Sequence, residues 1–138
     1  MNTLSNIRAF LLDMDGTFYL SNRLYPDSLP FMYTLSSLGI DYLFLTNNST
    51  HSAAYYAQKL ARLGFAAPPE KILTSGEATA RCLAEERPCA RLYVAGTPSL
   101  EQELRGYGFI LTDENPDYVV VGFDTTLTYE KLGSVYTR

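Results

Sequence analysis

Among its 138 residues the chain has two cysteines and one histidine. Cys82 and Cys89 cannot make a disulfide framework for a chain of this length. Six residues separate them, the wrong interval for a zinc knuckle, and a single histidine adds few other ligands. Both are read as reduced and structural. Positive charge is sparse and dispersed: 11 Lys and Arg stand against 15 Asp and Glu, a net charge of −4, and no Lys or Arg is followed by another. Nonspecific binding of nucleic acid needs clustered positive charge, as does binding to an anionic membrane surface, so neither is expected. No stretch approaches the roughly 20 apolar residues of a membrane-spanning helix. The first short apolar run ends on Asp13 and Asp15, where a signal peptide would carry small residues and a cleavage site. A cytoplasmic protein is therefore expected. There is no repeat of fixed period and no low-complexity tract. What remains is 46% apolar and 19% charged residues, the balance of a soluble globular domain, or of one domain and part of another.

Short apolar runs alternate with helical patterns. Ala9-Phe10-Leu11-Leu12 ends on Asp13 and predicts a buried strand. Pro26-Asp27-Ser28 offers a helix start, followed by Phe31, Met32, Leu35 and Leu38 at helical spacing, and Gly39 closes that helix. Tyr42-Leu43-Phe44-Leu45 predicts a second buried strand, ending on Thr46-Asn47-Asn48-Ser49-Thr50. A helix from about Ser52 to Leu63 puts Ala53, Tyr56, Ala57, Leu60 and Leu63 on one face, with Gly64 as its cap. After the break at Pro68-Pro69, Ile72-Leu73 leads to Ser75, read as the cap of a helix carrying Ala78, Thr79, Cys82 and Leu83. Arg87-Pro88 ends that helix and is the best linker candidate. Leu92-Tyr93-Val94-Ala95 is a strand, and Thr97-Pro98 pairs an N-cap with Pro at the first helical position. Leu100 and Leu104 form one face of the short helix that follows. Phe109-Ile110-Leu111 reads as an edge strand and Tyr118-Val119-Val120-Val121-Gly122 as a buried one. Thr128 caps a last helix. Strand, loop and helix in alternation mean an α/β fold with a parallel sheet and crossover helices. Ligands in such sheets sit at the carboxyl ends of strands, which singles out the loops at Asp13 and Thr46.

The first loop, Asp13-Met14-Asp15-Gly16-Thr17, sets two carboxylates two residues apart, on the same face of an extended segment. Their repulsion and desolvation are costly unless a cation sits between them. Magnesium takes hard oxygen ligands, keeps several waters, and binds one or two carboxylates together with a substrate phosphate. One carboxylate could attack phosphorus. The other could protonate the leaving oxygen and later deprotonate water. Gly16 permits a sharp turn, and Thr17 can brace the loop by its hydroxyl. Alone, such a pair could simply cap and solvate a loop. The second loop offers a hydroxyl, two amides and backbone N–H groups from Thr46, Asn47, Asn48 and Ser49. Neutral donors suit a transferring phosphoryl group, although an Asn-rich turn before a helix cap would use the same residues.

Together, Phe10-Leu11-Leu12-Asp13-Met14-Asp15-Gly16-Thr17 and Leu43-Phe44-Leu45-Thr46-Asn47-Asn48-Ser49 resemble motifs I and II of the haloacid dehalogenase-like phosphohydrolases. The closer resemblance is to the NagD-like sugar-phosphate and p-nitrophenyl phosphatases. It extends to Ala61-Arg62-Leu63-Gly64-Phe65, Ile72-Leu73-Thr74-Ser75-Gly76-Glu77-Ala78-Thr79, Val119-Val120-Val121-Gly122-Phe123-Asp124 and Tyr129-Glu130-Lys131-Leu132. The resemblance implies a Rossmann-like core with an inserted α/β cap, residues 1–88 being the first half of the core and 89–138 the first part of the cap. It implies a magnesium-dependent phosphatase of small phosphomonoesters, such as a sugar phosphate or a nucleotide, working through an aspartyl-phosphate. Asp13 would be the nucleophile and a metal ligand. Asp15 would be the acid/base and a metal ligand through its backbone carbonyl. Thr46 would hold the phosphoryl group, with Asn47 and Asn48 positioning it, and Gly16 and Thr17 would shape the loop.

That family also carries a Lys and an acidic pair after the cap, and this sequence ends at Arg138 before either. It is therefore expected to be a fragment. A catalytically silent fragment, or an oligomerisation or binding module, is the alternative from another class, with a homo-oligomer possible in either case. A phosphoacceptor receiver domain is disfavoured, because its acidic residues come from separate loops. Four other features take bland readings. His51 reads as a solvated residue of a first helical turn, and the 11 Tyr and 7 Phe as core packing. Glu101, Glu103 and Arg105 read as a solvated helix face, and Asp124 as part of the cap.

Overall fold

The computed structural model describes residues 6–137. Met1–Ser5 and Arg138 lie outside the described residues. The chain packs as two units. One holds the residues up to Thr46 together with Ala53–Leu73, and the other holds Asn47–Ser52 and everything from Thr74 onward.

The first unit is built on β1 (Ala9–Asp13), β4 (Asp41–Thr46) and β5 (Ile72–Thr74), in the order β1-β4-β5. A small antiparallel hairpin, β2 (Tyr19–Leu20) with β3 (Arg23–Leu24), follows β1. The hairpin escaped the sequence reading, because its strands are two residues each and carry no measurable alternation. The strained element is its turn, where Ser21 takes a φ of +54°. Helices α1 (Ser28–Ser37) and α2 (Ala53–Leu63) complete the unit. Both match the predicted periodicity, and Gly39 and Gly64 close them at φ +64° and +99°, the left-handed conformation that a helix C-terminus often needs. On α1 only Met32 and Leu35 of the expected apolar face are buried, and Leu38 is exposed. The core is aromatic. Phe18, Tyr42, Phe44 and Phe65 meet edge to face, with ring centroids 4.8 to 6.0 Å apart.

In the second unit, β6 (Arg91–Ala95) runs between β7 (Ile110–Leu111) and β8 (Tyr118–Val121), parallel to both. It also contains α3 (Ser75–Glu86), α4 (Pro98–Gly106) and α5 (Tyr129–Thr137). The cap of α3 is Thr74, whose hydroxyl accepts the Glu77 N–H at 3.0 Å; Ser75, the expected cap, is already helical. The buried residues of α3 are Gly76 and Ala80; of the four expected, Ala78 and Cys82 are exposed, Thr79 is intermediate and Leu83 packs partly buried against the core. Thr97 and Pro98 open α4 as predicted, and Leu100 and Leu104 are its buried face. The Leu100 side chain sits where three glycines converge. A Cβ on Gly76, Gly96 or Gly122 would come within 2.5 to 2.9 Å of its methyl groups.

Two strands read as buried on both faces are buried on one. β1 alternates, leaving Leu11 68% exposed, and β8 does the same, leaving Val121 61% exposed. Each lies at the edge of its sheet among the described residues, and each carries its exposed side chains on one face. Cys82 and Cys89, read as structural, are both exposed free thiols. Among the described residues, no helix is long and apolar enough to cross a membrane.

Removing the central ring of the aromatic core should be costly. Phe44→Ala is expected to lose about 3–5 kcal/mol of unfolding free energy, the usual range for an aromatic emptied from a core. Urea denaturation followed by circular dichroism measures it; a loss under about 1 kcal/mol would mean that the cluster repacks around the void.

Candidate active site

Parallel pairing sets the geometry of the first unit's site. Asp13, the last residue of β1, lies opposite Leu45 in β4, so the carboxyl ends of the two strands sit side by side and Thr46 is the next residue along. The loop leaving β1 is tightly wound. The Met14 carbonyl accepts the Phe18 and Tyr19 N–H groups at 2.9 and 3.1 Å, and the Gly16 N–H donates to the Tyr19 carbonyl at 2.8 Å. Gly16 has a φ of +83°, a conformation that a side chain would strain. Met14 is fully buried while Asp13 and Asp15 are exposed, so the alternation turns both carboxylates away from the core. The Thr17 hydroxyl donates to Asp13 Oδ2 at 3.0 Å, which fixes the rotation of that carboxylate. A hollow of about 450 Å³ lies beside Asp13 and Thr17, walled by Leu12, Phe18, Tyr25 and Phe31.

Two residues that the sequence did not flag sit behind this loop. Tyr19 is 1% exposed, and its backbone bridges to Asp15. Burial first, and then the charges of Asp15 and Asp13, push its phenol well above the ordinary range, so it stays protonated. Lys59, on α2, places its ammonium 4.1 Å from the Tyr19 ring centroid, a cation–π contact. Nothing in the spacing links a lysine with a tyrosine forty residues earlier.

The second loop divides between the units after Thr46. Thr46 is buried at the end of β4 in the first unit. In the second unit, Asn47 is exposed and its backbone carbonyl accepts the Ser75 hydroxyl at 3.0 Å. The Asn48 side-chain oxygen is engaged within the loop, accepting the Thr50 N–H at 2.9 Å and the Thr50 hydroxyl at 2.6 Å. Asn48 thus forms an Asx turn, and its oxygen shapes the loop. His51 is exposed.

Magnesium needs hard oxygen donors and room for its own water. Two exposed carboxylates on one loop suit an ion held by one or two carboxylates and completed by water and phosphate. Among the described residues, no group of three or more His, Cys, Asp or Glu gathers as a metal site. The Asp124 carboxylate is engaged by neighbours of its own. Its side chain is 2% exposed, Oδ2 accepts Lys131 Nζ at 2.8 Å, and Oδ1 accepts both the Thr126 N–H and the Thr126 hydroxyl at 2.7 Å. These hydrogen bonds, led by that from Lys131, hold its carboxyl down at about 2. Glu103 also departs from its expected place on a solvated face. It packs half-buried against α3, and burial, followed by the charge of Glu77, raises its carboxyl.

The profile of the haloacid dehalogenase-like hydrolases matches residues 10–110. An acid sugar phosphatase of Staphylococcus saprophyticus is 39% identical over 132 residues, covering 95% of this chain and 51% of the relative. The crystal structure of a 4-nitrophenylphosphatase from Thermotoga maritima superposes with a TM-score of 0.90 at 44% identity, covering 94% of this chain and 49% of that one. A glycerol phosphate phosphatase from Mycobacterium tuberculosis, solved in complex with magnesium, superposes with a TM-score of 0.83 at 30% identity, covering 95% and 40%. The chain spans about half the length of the curated relatives it matches.

The Asp124–Lys131 pair generates a pH test. Its carboxyl titrates lower in the folded chain than in the unfolded one, so the stability it contributes is complete above the ordinary 3.8 and is lost as pH falls through about 2. Asp124→Asn should therefore be less stable than wild type at pH 6, with the difference closing towards pH 2 in urea titrations. A difference independent of pH would show that the ion pair does not supply it.

Proposed function

This chain belongs to the haloacid dehalogenase-like hydrolases, and from that premise we propose that its residues serve a magnesium-dependent phosphatase of small phosphomonoesters. The observation that carries the reading is the β1–β4 register, which ends Asp13 beside Leu45 and Thr46. A carboxylate whose rotation is set by Thr17 is prepared to act as a nucleophile. In the proposed cycle, an Asp13 oxygen attacks phosphorus, an acyl-phosphate bond forms, and the bond to the ester oxygen breaks. Asp15 gives its proton to that departing oxygen. Water then attacks the acyl phosphate, Asp15 takes the proton, and free Asp13 returns with release of inorganic phosphate. Thr46, Asn47 and Asn48 hold and orient the phosphoryl group as neutral donors, while Gly16 and Thr17 keep the loop in shape. Asp13 and the Asp15 carbonyl would hold Mg2+, whose charge would offset that gathered between carboxylates and phosphate. The magnesium complex of the glycerol phosphate phosphatase supports that metal. The substrate is a small phosphorylated metabolite, in keeping with relatives described as an acid sugar phosphatase and a 5'-nucleotidase. Under the same reading, residues 1–88 are the first half of the core, 89–138 begin the cap, and the protein works in the cytoplasm.

A second reading, association through the second unit, has its own observation. Val121, Phe123, Leu132 and Tyr136 in and around β8 and α5 are all at least half exposed, an apolar surface of the kind that marks interfaces. Sedimentation velocity on the chain at two concentrations tests it; a monomer at both would remove it.

Beryllofluoride, which mimics an acyl phosphate on a carboxylate, tests the nucleophile. With Mg2+ present, fluorine NMR is expected to show an adduct on the wild-type chain and none on Asp13→Asn. An adduct of equal size on the variant would overturn the assignment.

A further inference from the structure

A polar run such as Asn47 to Ser52 would ordinarily lie loose on the surface. Here Ser49 and Thr50 are buried, and buried polar groups need partners. The Thr50 hydroxyl is met by Asn48, but the Ser49 hydroxyl and the Thr50 carbonyl find partners far along the chain, within the same unit. The Phe123 N–H, just past β8 and 74 residues from Ser49, donates to the Ser49 hydroxyl at 2.8 Å. The Thr97 hydroxyl donates to the Thr50 carbonyl at 3.1 Å, and Thr97 Oγ1 itself accepts the Leu100 N–H as the cap of α4. A threonine hydroxyl has one donor and two acceptor positions, so one residue serves both.

The missing side chain at residue 122 leaves room for this approach. The Gly122 N–H continues the ladder to the Ala95 carbonyl at 2.9 Å, and the next N–H, that of Phe123, turns to Ser49. A Cβ on Gly122 would stand 2.8 Å from Ser49 Oγ and 2.5 Å from Leu100 Cδ2. Immediately beyond, the Asp124 pairing with Thr126 and Lys131 ties down the chain that presents the Phe123 amide. The end of β8 and the cap of α4 thus form a fitted receptor for Ser49 and Thr50.

We infer that Ser49, Thr97 and Gly122 are positioning residues: they set the conformation of the Asn47–Asn48 loop and, through it, the phosphate contact that those amides make. This rests on the reading of Asn47 and Asn48 as phosphate-binding residues. None of the three touches substrate in this account. Ser49 acts through the backbone next to Asn48, and the Asx turn from Asn48 to Thr50 is what they hold still.

The test uses the 138-residue chain and NMR. Amide exchange is measured in wild type, Ser49→Ala, Thr97→Val, Gly122→Ala, and the hydroxyl-keeping Ser49→Thr and Thr97→Ser. Each is then titrated with inorganic phosphate in Mg2+ while the side-chain amides of Asn47 and Asn48 are followed. Exchange of the Thr50 and Phe123 amides should rise at least about tenfold in Ser49→Ala, Thr97→Val and Gly122→Ala, with Tyr93 in β6 unchanged. The phosphate midpoint should rise by roughly three- to tenfold in the same variants, as a loosened loop holds its competent conformation less often. Thr97→Ser should restore both, which excludes a merely unfolded variant, and Ser49→Thr provides the same control at the other contact. Unchanged exchange in Ser49→Ala overturns the receptor. Faster exchange with unaltered phosphate affinity overturns the positioning role. No phosphate response at Asn47 and Asn48 in wild type overturns the inference together with the reading beneath it, whatever exchange shows. Loss of the Asp13 adduct with the phosphate response intact would instead count against the nucleophile alone.

Discussion

The pairing of β1 with β4 is the constraint on which the rest of the first unit depends. Because the two strands run parallel and in a fixed register, Asp13 and Thr46 arrive at the same end of the sheet, although more than thirty residues separate them. A slip of one residue would turn Asp13 into the core and Met14 out of it, since side chains alternate between faces. The buried Met14 and the aromatic cluster around Phe44 oppose that slip. Hydrophobic burial thus chooses where the charged groups stand, and the loop's own hydrogen bonds only refine it. The turn at Gly16, the Met14 carbonyl and the Thr17 hydroxyl bring Asp13 and Asp15 out together.

In the second unit a different economy operates. Leu100 fills a space bounded by Gly76, Gly96 and Gly122, and the absence of three side chains lets helix, strand end and loop converge. Close approach leaves backbone and hydroxyl groups without water, so each needs a protein partner. Ser49, Thr50 and Thr97 meet that need among themselves and with the Phe123 amide. Among the described residues, no buried side-chain polar atom is left unpaired. Asp124 shows the same logic with charge. Its carboxylate is buried because lysine, hydroxyl and backbone N–H all turn to it.

Much of this was legible in order along the chain. Helices α1, α2 and α4 followed their apolar spacing, and glycine or threonine marked their ends, because capping and periodicity are local physics. The Asp13 and Thr46 loops stood out because strand ends carrying acids and amides are where α/β sheets bind ligands. The failures share a cause. The cap of α3 was misplaced by one residue because Thr74 and Ser75 are chemically alike, and only the end of β5 decides between them. The strands β1 and β8 looked fully buried because an apolar run records what a strand can bury, not what lies against it. Glu103 looked solvated because its burial comes from α3, a neighbour that helical spacing cannot name.

The sequence by itself determined the class of fold, the two loops, and the pairing of carboxylates with neutral donors, since each is written in residues a few positions apart. Tertiary structure alone decided which hydroxyls became struts, which glycines crowd Leu100, and that Lys59 would lie over Tyr19. It also turned Asn48's oxygen inward to hold its own loop. These depend on contacts between residues tens of positions apart, and such contacts exist only after the strands have registered and the helices have packed. Local pattern names the donors and acceptors; packing decides which of them meet.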